Sequence, residues 1–374
     1  MTESTDQIPM AQPVIGAREE ELVLEVLRSG QLSLGRKTVA FEEGLAARIG
    51  VPYGRAVSSG TAGLHLALRA VGVEAGDEVI TSPLSFIASA NSVLFERAIP
   101  TFVDIDPVTL NMDAAAVADA ITPATKAILP VHIFGYPADT PAMERHGLPI
   151  VEDACEALGA IHGDGVPVGG RGHPAVFAFY ANKQLATGEG GMVVTNDAAI
   201  AERIGSERNQ GRAPDMGWLD HDRLGFNYRM SELQAALGVA QLERLDQMLA
   251  DRAKVAGWYR EALAELSAQT GLALPCEDRG TERRGWFVFV VQVPRGVDRD
   301  DVLRGLRAVG IDGKPYLPPI HLFSFYRELG YREGMFPVTE DIGGRSLALP
   351  FFPAMQQSQV ARVAERLSEL LLGN

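Results

Sequence analysis

Apolar positions along the chain fall into two rhythms, and the switch between them outlines the fold. Near the start an acidic turn (Glu19, Glu20, Glu21) leads into Leu22, Val26 and Leu27. That pattern predicts a helix over Arg18–Arg28, closed by Ser29-Gly30. A second helical pattern runs from Val39 to Ile49 and stops at Gly50, while residues 1–12 read as a loose polar tail. Short β-rich runs then alternate with helical segments. The runs are Ala56–Ser59, Glu78–Ser82, Thr101–Asp104, Ala127–Val131, Pro149–Asp153, Val176–Phe179 and Met192–Thr195. Several are continuously apolar, as expected of strands covered on both faces of a largely parallel sheet. Helices are predicted over Thr61–Val71, Ser89–Glu96, Asp113–Ile121 and Ala138–His146. Seven strands with helical crossovers predict one large α/β domain with a mostly parallel sheet.

A long helical stretch from Ser231 to Leu266 carries Leu233, Leu237, Leu242, Leu245 and Met248 at helical spacing. It predicts a bridge from the large domain to a smaller C-terminal α/β domain. The remainder reads as a strand (Trp286–Val293), a helix (Asp298–Val309), a proline-rich loop (Lys314–Pro319), a strand (Leu347–Phe352) and a helix (Val360–Leu372). The expected division is 13–250 for the large domain and 251–374 for the small one.

Composition narrows the class. With 34 basic and 48 acidic residues the net charge is −14, which argues against a nucleic-acid partner. Two cysteines, Cys155 and Cys276, support neither a disulfide framework nor a cysteine-rich zinc site, and so sparse a count fits a reducing cytosol. The longest apolar runs, such as Val288–Val291, are strand-sized, so no membrane span is expected. The N-terminal residues lack the basic-then-apolar pattern of a targeting signal. The expectation is a cytoplasmic α/β enzyme.

Three features carry chemistry. Only five lysines occur (Lys37, Lys126, Lys183, Lys254 and Lys314), and Lys183 stands between the apolar run Ala175–Tyr180 and the glycine-rich QLATGEGG. A lysine at the end of a buried strand can lose its proton by desolvation and attack a carbonyl, although one so placed can equally snorkel to solvent. Thirty residues earlier, the strand ending Val151-Glu152-Asp153 places a carboxylate beyond a strand end, where open α/β sheets bind ligands. Such an acid can meet a metal, a ribose hydroxyl or a protonated ring nitrogen. A metal is the weakest choice, because no His/Asp/Cys set nearby has ligand spacing. Glu152 should point to the opposite side, where it can equally be a structural partner for an arginine. Third, Ser58-Ser59-Gly60-Thr61-Ala62 opens a helix directly after a strand, where backbone N–H groups and the Thr61 hydroxyl can hold a phosphate or simply cap the helix. Together the three match what pyridoxal phosphate requires: a phosphate anchor, an acid for its pyridine nitrogen and a Schiff-base lysine. Phe86, in SPLSFIASAN, is a candidate ring to stack on the cofactor or a core phenylalanine.

The runs SSGTAGLHLAL, GDEVITSPLSFIASAN, FVDIDPVTLNMD, PVHIFG, VEDACEALGA, FAFYANKQLATGEGG, LGFNYRMSELQAALGVAQL and PPIHLFSFYRELGY resemble the sugar aminotransferase family of DegT/DnrJ/EryC1/StrS type, in family order over nearly the whole chain. The resemblance implies the fold type I architecture of pyridoxal-phosphate enzymes and a homodimer with shared active sites. It also implies transfer of an amino group, with L-glutamate as donor, to a nucleotide-linked keto-sugar in amino-sugar and polysaccharide biosynthesis. Carried over by motif, Lys183 is the Schiff-base lysine and Asp153 the pyridinium partner. Thr61 and Ala62 form the phosphate cup, Phe86 covers the ring, and Glu156 lies near the phenolic oxygen. Asn227 reaches the phosphate from the other subunit. Arg229 either meets an anionic substrate group or forms a structural salt bridge. Tyr316 and His321 either border the sugar pocket or merely pack, and the 209–223 segment bears on specificity. One departure is Ala178, where many members carry a phosphate-binding serine; Asn182 or a water is the expected substitute.

Two other readings compete. A desulfurase of the same fold needs a mobile nucleophilic cysteine, for which Cys155 and Cys276 have no supporting context. A cofactor-bound sensor or regulator of the same fold has no appended DNA-binding segment here, and the acidic charge opposes one.

Overall fold

In the computed structural model, which describes residues 7–213 and 220–373, seven strands make the main sheet. They are β1 (Tyr53–Val57), β2 (Glu78–Thr81), β3 (Ile99–Phe102), β4 (Thr125–Leu129), β5 (Glu152–Asp153), β6 (Ala175–Ala178) and β7 (Gly191–Thr195). Parallel bridges at Ile128–Ile150 and Val131–Asp153 join β4 to β5, so the spatial order is β3-β2-β4-β5-β6-β7-β1. Only β7 runs against its neighbours, antiparallel to both β6 and β1. The carboxyl ends of β1, β2, β4, β5 and β6 therefore share one edge, and Thr61, Phe86, Asp153 and Lys183 lie at or just past those ends.

Both faces of the sheet are covered, which explains the continuous apolar runs. Successive side chains of a strand point to opposite faces. Val176 and Val193 pack with Leu64, Ala67 and Leu68 of the helix Gly60–Ala70. Phe177, Phe179, Met192 and Val194 pack on the other face with Phe41, Leu45 and Ile49 of the helix Arg36–Ile49.

Several boundaries shift for local reasons. The strand expected at Ala56–Ser59 ends at Val57, because Ser58 donates to the Tyr228 carbonyl (2.8 Å) and Ser59 becomes the N-cap of the next helix, accepting from Ala62 N–H. The helix expected over Asp113–Ile121 shortens to Val117–Ala120, since Asp113 takes the Ala115 N–H on its side chain and offers the backbone a turn instead. The long stretch from Ser231 is two helices, Glu232–Glu243 and Leu245–Thr270, divided at Arg244, whose φ of −123° lies outside the helical range. Helices at Ala198–Glu207, Ser324–Glu328 and Pro337–Arg345 had no clear pattern in the sequence.

The second sheet is antiparallel, in the order β8 (Phe289–Gln292), β10 (Ser346–Leu349), β9 (Lys314–Pro315). The proline-rich segment read as a loop thus contributes a short edge strand. Leu245 and Met248 of the long helix pack with the main-sheet core, whereas Val255, Tyr259 and Leu263 pack with Phe289, Val291 and Leu347. Part of the expected loose tail is fixed. Ile8 is buried in that C-terminal core and donates to Gly310 O (2.8 Å), while Asp312 N–H donates back to Ile8 O (3.0 Å). Residues 1–6 lie outside the described residues. Among the described residues no helix is long and apolar enough to cross a membrane.

Candidate active site

The carboxyl edge gathers Lys183, Glu156 and Asp153 from two neighbouring strand ends. Asp153 closes β5 and is buried; its Oδ2 accepts from Ser89 Oγ (2.6 Å) and its Oδ1 from Cys155 N–H (3.2 Å). Ser89 is braced in turn by Ser85 Oγ at 2.6 Å. Lys183 lies five residues past β6 in a turn closed by its own N–H donating to Tyr180 O (2.9 Å). Its Nζ is 3.7 Å from Glu156 Oε1 and 3.8 Å from the centre of the Phe287 ring, whose face favours a cation. Burial pushes the Glu156 carboxyl up, and Lys183 only partly opposes this.

The helix start at Gly60 sits against these groups. Of its first N–H groups that of Ala62 donates to Ser59 Oγ (3.1 Å), and those of Gly60 and Thr61 open the helix. The backbones pack closely there. A Cβ on Gly60 would come within 2.8 Å of Ala178 Cβ and 2.9 Å of Cys155 Sγ, and one on Gly191 within 2.6 Å of Ser59 O. Asn182, the expected stand-in for the missing serine, has its Oδ1 buried with no partner. Cys155 is a poor nucleophile, its thiol pushed up by burial and by Asp153.

The more peripheral candidates divide. Tyr316 joins the site: its ring centre lies 5.7 Å from that of Phe134 and 6.3 Å from that of Phe287, and burial together with Glu156 raises its hydroxyl. Phe86 is 61% exposed and lines an apolar cavity with Ile87, Leu317, Pro318 and Phe323. His321 is fully buried; Nε2 meets Glu340 Oε1 at 2.9 Å, and the ring packs edge-on against Phe336. Its side chain is thus committed within the C-terminal unit. Arg229 donates to Asn209 Oδ1 (2.9 Å) and forms no salt bridge among the described residues. Asn227 is exposed and pairs through its backbone with Asn209. Within the 209–223 segment, positions 214–219 lie outside the described residues.

Some contributors were hidden from sequence reasoning. Ser89 and Phe287 reach the site from positions read as helix and strand. Arg252, buried in the long helix, donates to the carbonyls of Lys183 (3.0 Å), Asn182 (3.4 Å) and Phe287 (3.1 Å). Burial lowers its guanidinium to about 10. Glu152 does point away from Asp153, but its partners are histidines, not an arginine. Its Oε2 lies 2.9 Å from His132 Nε2 and 3.8 Å from His162 Nε2. The three ligand atoms fall within 4.8 Å of one another, a grouping the spacing of these residues did not suggest. His132 Nδ1 accepts the Ala138 N–H (2.9 Å), so Nε2 carries a hydrogen and directs it at Glu152. His132 and Glu152 form a buried hydrogen-bonded pair, with His162 Nε2 close by but without a hydrogen-bond partner among the described residues.

Strand order, the antiparallel β7, the small C-terminal unit and a lysine–aspartate pair at the carboxyl edge define a fold type I transferase. The sequence pattern of the DegT/DnrJ/EryC1/StrS aminotransferase family matches residues 13–368, and the chain belongs to that family. It is 40% identical to the GDP-perosamine synthase of Caulobacter vibrioides over 376 residues, covering 98% of this chain and 99% of that protein. It is 37% identical to the spore coat polysaccharide biosynthesis protein SpsC of Bacillus subtilis, covering 98% and 97%. The crystal structure of S. venezuelae DesV in complex with a ketimine intermediate superimposes with a TM-score of 0.89 at 36% identity, covering 94% of each chain.

Proposed function

We propose that this chain is a pyridoxal-phosphate-dependent aminotransferase that moves an amino group from L-glutamate to a nucleotide-linked keto-sugar, acting as a cytoplasmic homodimer with shared active sites. The observation that carries this reading is the convergence of Lys183, Glu156 and Asp153 at the sheet edge beside the helix start at Gly60. The residues present fit the cofactor. Lys183 would hold its carbonyl carbon and Asp153 its ring nitrogen. The N–H groups opening the helix Gly60–Ala70, with Thr61, would hold its phosphate. When bound, pyridoxal phosphate supplies an electron sink for the carbanion left as a proton leaves the donor's α-carbon.

The chain's own residues do the rest. Asp153, oriented by Ser89 and Cys155 N–H, offers its remaining lone pairs to a ring N–H. Lys183 Nζ, confined between Glu156 and Phe287, would take the proton from the donor's α-carbon as general base and return it as general acid. Tyr316 packs against Phe134 on the C-terminal side, and Arg229, with no carboxylate partner among the described residues, is a candidate for an anionic substrate group.

A stopped-flow half-reaction with L-glutamate tests this, followed by a panel of UDP-, dTDP- and GDP-linked keto-sugars with products read by mass. Loss of the bound cofactor's visible absorbance on adding glutamate, then an aminated sugar from at least one panel member, is expected. No spectral response to glutamate would favour a sensor of the same fold. Lys183→Ala should abolish both absorbance and turnover.

A further inference from the structure

We propose that Glu156 is a catalytic residue that exchanges a proton with Lys183: the N–H bond at Nζ breaks as an O–H bond forms at Oε1, and the reverse step restores it. The pair thereby alternates between ammonium with carboxylate and amine with carboxylic acid, with no net change in protons or charge. The proposal rests on reading Lys183 as the lysine that works at the donor's α-carbon.

The geometry selects Glu156. Among the described residues it is the only carboxylate within 4 Å of Lys183 Nζ, and only 7% of its side chain and 13% of the lysine's are exposed. The carboxylate is aimed. Its Oε2 accepts the Phe134 N–H at 2.9 Å, leaving Oε1 directed at the amine. The backbone that supplies this N–H is held in a conformation side chains rarely adopt, with Phe134 at φ +53° and Gly135 at φ +83°. A Cβ on Gly135 would fall 1.9 Å from Gly285 O, so the segment is pinned. Gln184 Nε2 ties the Glu156 carbonyl to Gly285 O as well.

Burial acts on both groups of the pair. An ion pair removed from water loses much of its hydration, and transferring the proton within the pair removes both charges at once. Burial favours the neutral carboxylic acid, while the Phe287 face favours the ammonium. The other charged or titratable groups facing the pair are Asp153 and Cys155 from the β5 end, Tyr316 from the C-terminal unit and Arg252 behind the lysine loop. At 3.7 Å the pair is just beyond hydrogen-bond length, so a small side-chain rotation makes or releases the contact.

The test uses full-length protein without added cofactor and compares wild type with Glu156→Gln. Lysines are labelled with acetic anhydride across a pH series and quantified by peptide mass. With only five lysines in the chain, the other four are internal references. Removing the carboxylate should move the labelling curve of Lys183 alone to lower pH by about one unit, roughly a tenfold faster reaction on the rising limb. If Glu156→Gln lacks a cooperative melt, Glu156→Asp carries the comparison, with a smaller displacement of the same sign. In the loaded enzyme, Glu156→Gln should slow the glutamate half-reaction about 100-fold with little change in the glutamate concentration for half-maximal rate. Superimposable Lys183 curves in folded variants would overturn the assignment even if glutamate still drives the half-reaction. A displaced curve with no response to glutamate would instead overturn the aminotransferase reading and leave the proton exchange standing.

Discussion

Ser89 decides how Asp153 faces the site, because its hydroxyl donates to Oδ2 and is itself fixed by Ser85. A hydrogen bond to a charged group contributes about 1.5–3 kcal/mol, and here it orients rather than merely stabilises. Ser89→Ala should therefore weaken pyridoxal-phosphate binding about tenfold, read by equilibrium titration, while leaving Lys183 able to form its Schiff base. Unchanged affinity would mean that Cys155 N–H alone suffices. The cluster on the far side of β5 makes a second residue-level prediction. Burial lowers His132 below its ordinary 6.5, with Glu152 opposing. Burial works to raise Glu152, yet His132 and His162 override it and hold the carboxyl well below its usual range. Both folded groups thus bind protons less readily than when unfolded. Stability must fall as pH drops below about 6.5 for His132, and fall further below about 4.5 for Glu152. His132→Gln should remove up to about 1.4 kcal/mol per pH unit from that acid slope. Urea unfolding between about pH 7.5 and 5 measures it, and equal slopes in both proteins would contradict it.

At the scale of elements, the helix Gly60–Ala70 is placed as much by what is missing at its start as by its apolar face. Gly60 lets the first turn lie against Ala178 and Cys155, and a methyl group there meets both below 3 Å. Gly60→Ala should lift the turn away from the sheet edge. The expected result is a larger loss of cofactor affinity than Ser59→Ala causes, the latter removing only a cap that contributes about 1 kcal/mol to stability. Comparable affinities in the two variants would show that the close approach is dispensable. The same helix illustrates what was legible beforehand. Strand, small residues and helix start follow one another in the chain, and so do β5 with Asp153 and β6 with Lys183, so these were readable from local pattern and the chemistry of strand ends. Ser89 meets Asp153 across 64 positions and Arg252 meets Lys183 across 69, and no periodicity reports such contacts. His132, Glu152 and His162 lacked ligand spacing for the same reason: they converge from three separate segments. The tail around Ile8 looked loose because its partners, Gly310 and Asp312, come from the opposite end of the chain. His321 was readable two ways, as a pocket-edge residue by the family resemblance or as a packed one by its flanking prolines, and its ring packs against Glu340 and Phe336.

For the whole molecule, a net charge of −14 leaves the candidate site dependent on local cations and helix dipoles, while apolar side chains remain uncovered around it. Phe86 and Tyr180 flank the site at 61% and 52% exposure, and Leu27, Leu34 and Val39 of the N-terminal segment are each about half exposed. The shared site proposed above requires a second copy of the chain. Asn227 bears directly on this. It is exposed, on the segment whose Tyr228 carbonyl receives Ser58 N–H beside the chain's own helix start. It can serve that site or the partner's, and the two arrangements give different results when inactive subunits are mixed. Lys183→Ala lacks the lysine, and Asn227→Asp sets a carboxylate where a phosphate is expected. If Asn227 serves the partner, a hybrid of the two has one site with both defects and one with neither. Equal mixing with full exchange then restores about a quarter of wild-type turnover, because half the dimers are hybrids and half of their sites are intact. If Asn227 serves its own subunit, every site in every dimer carries one defect, and the mixture stays as inactive as its parents. Native mass measurement of the hybrid fraction, taken alongside the activity, separates the two results.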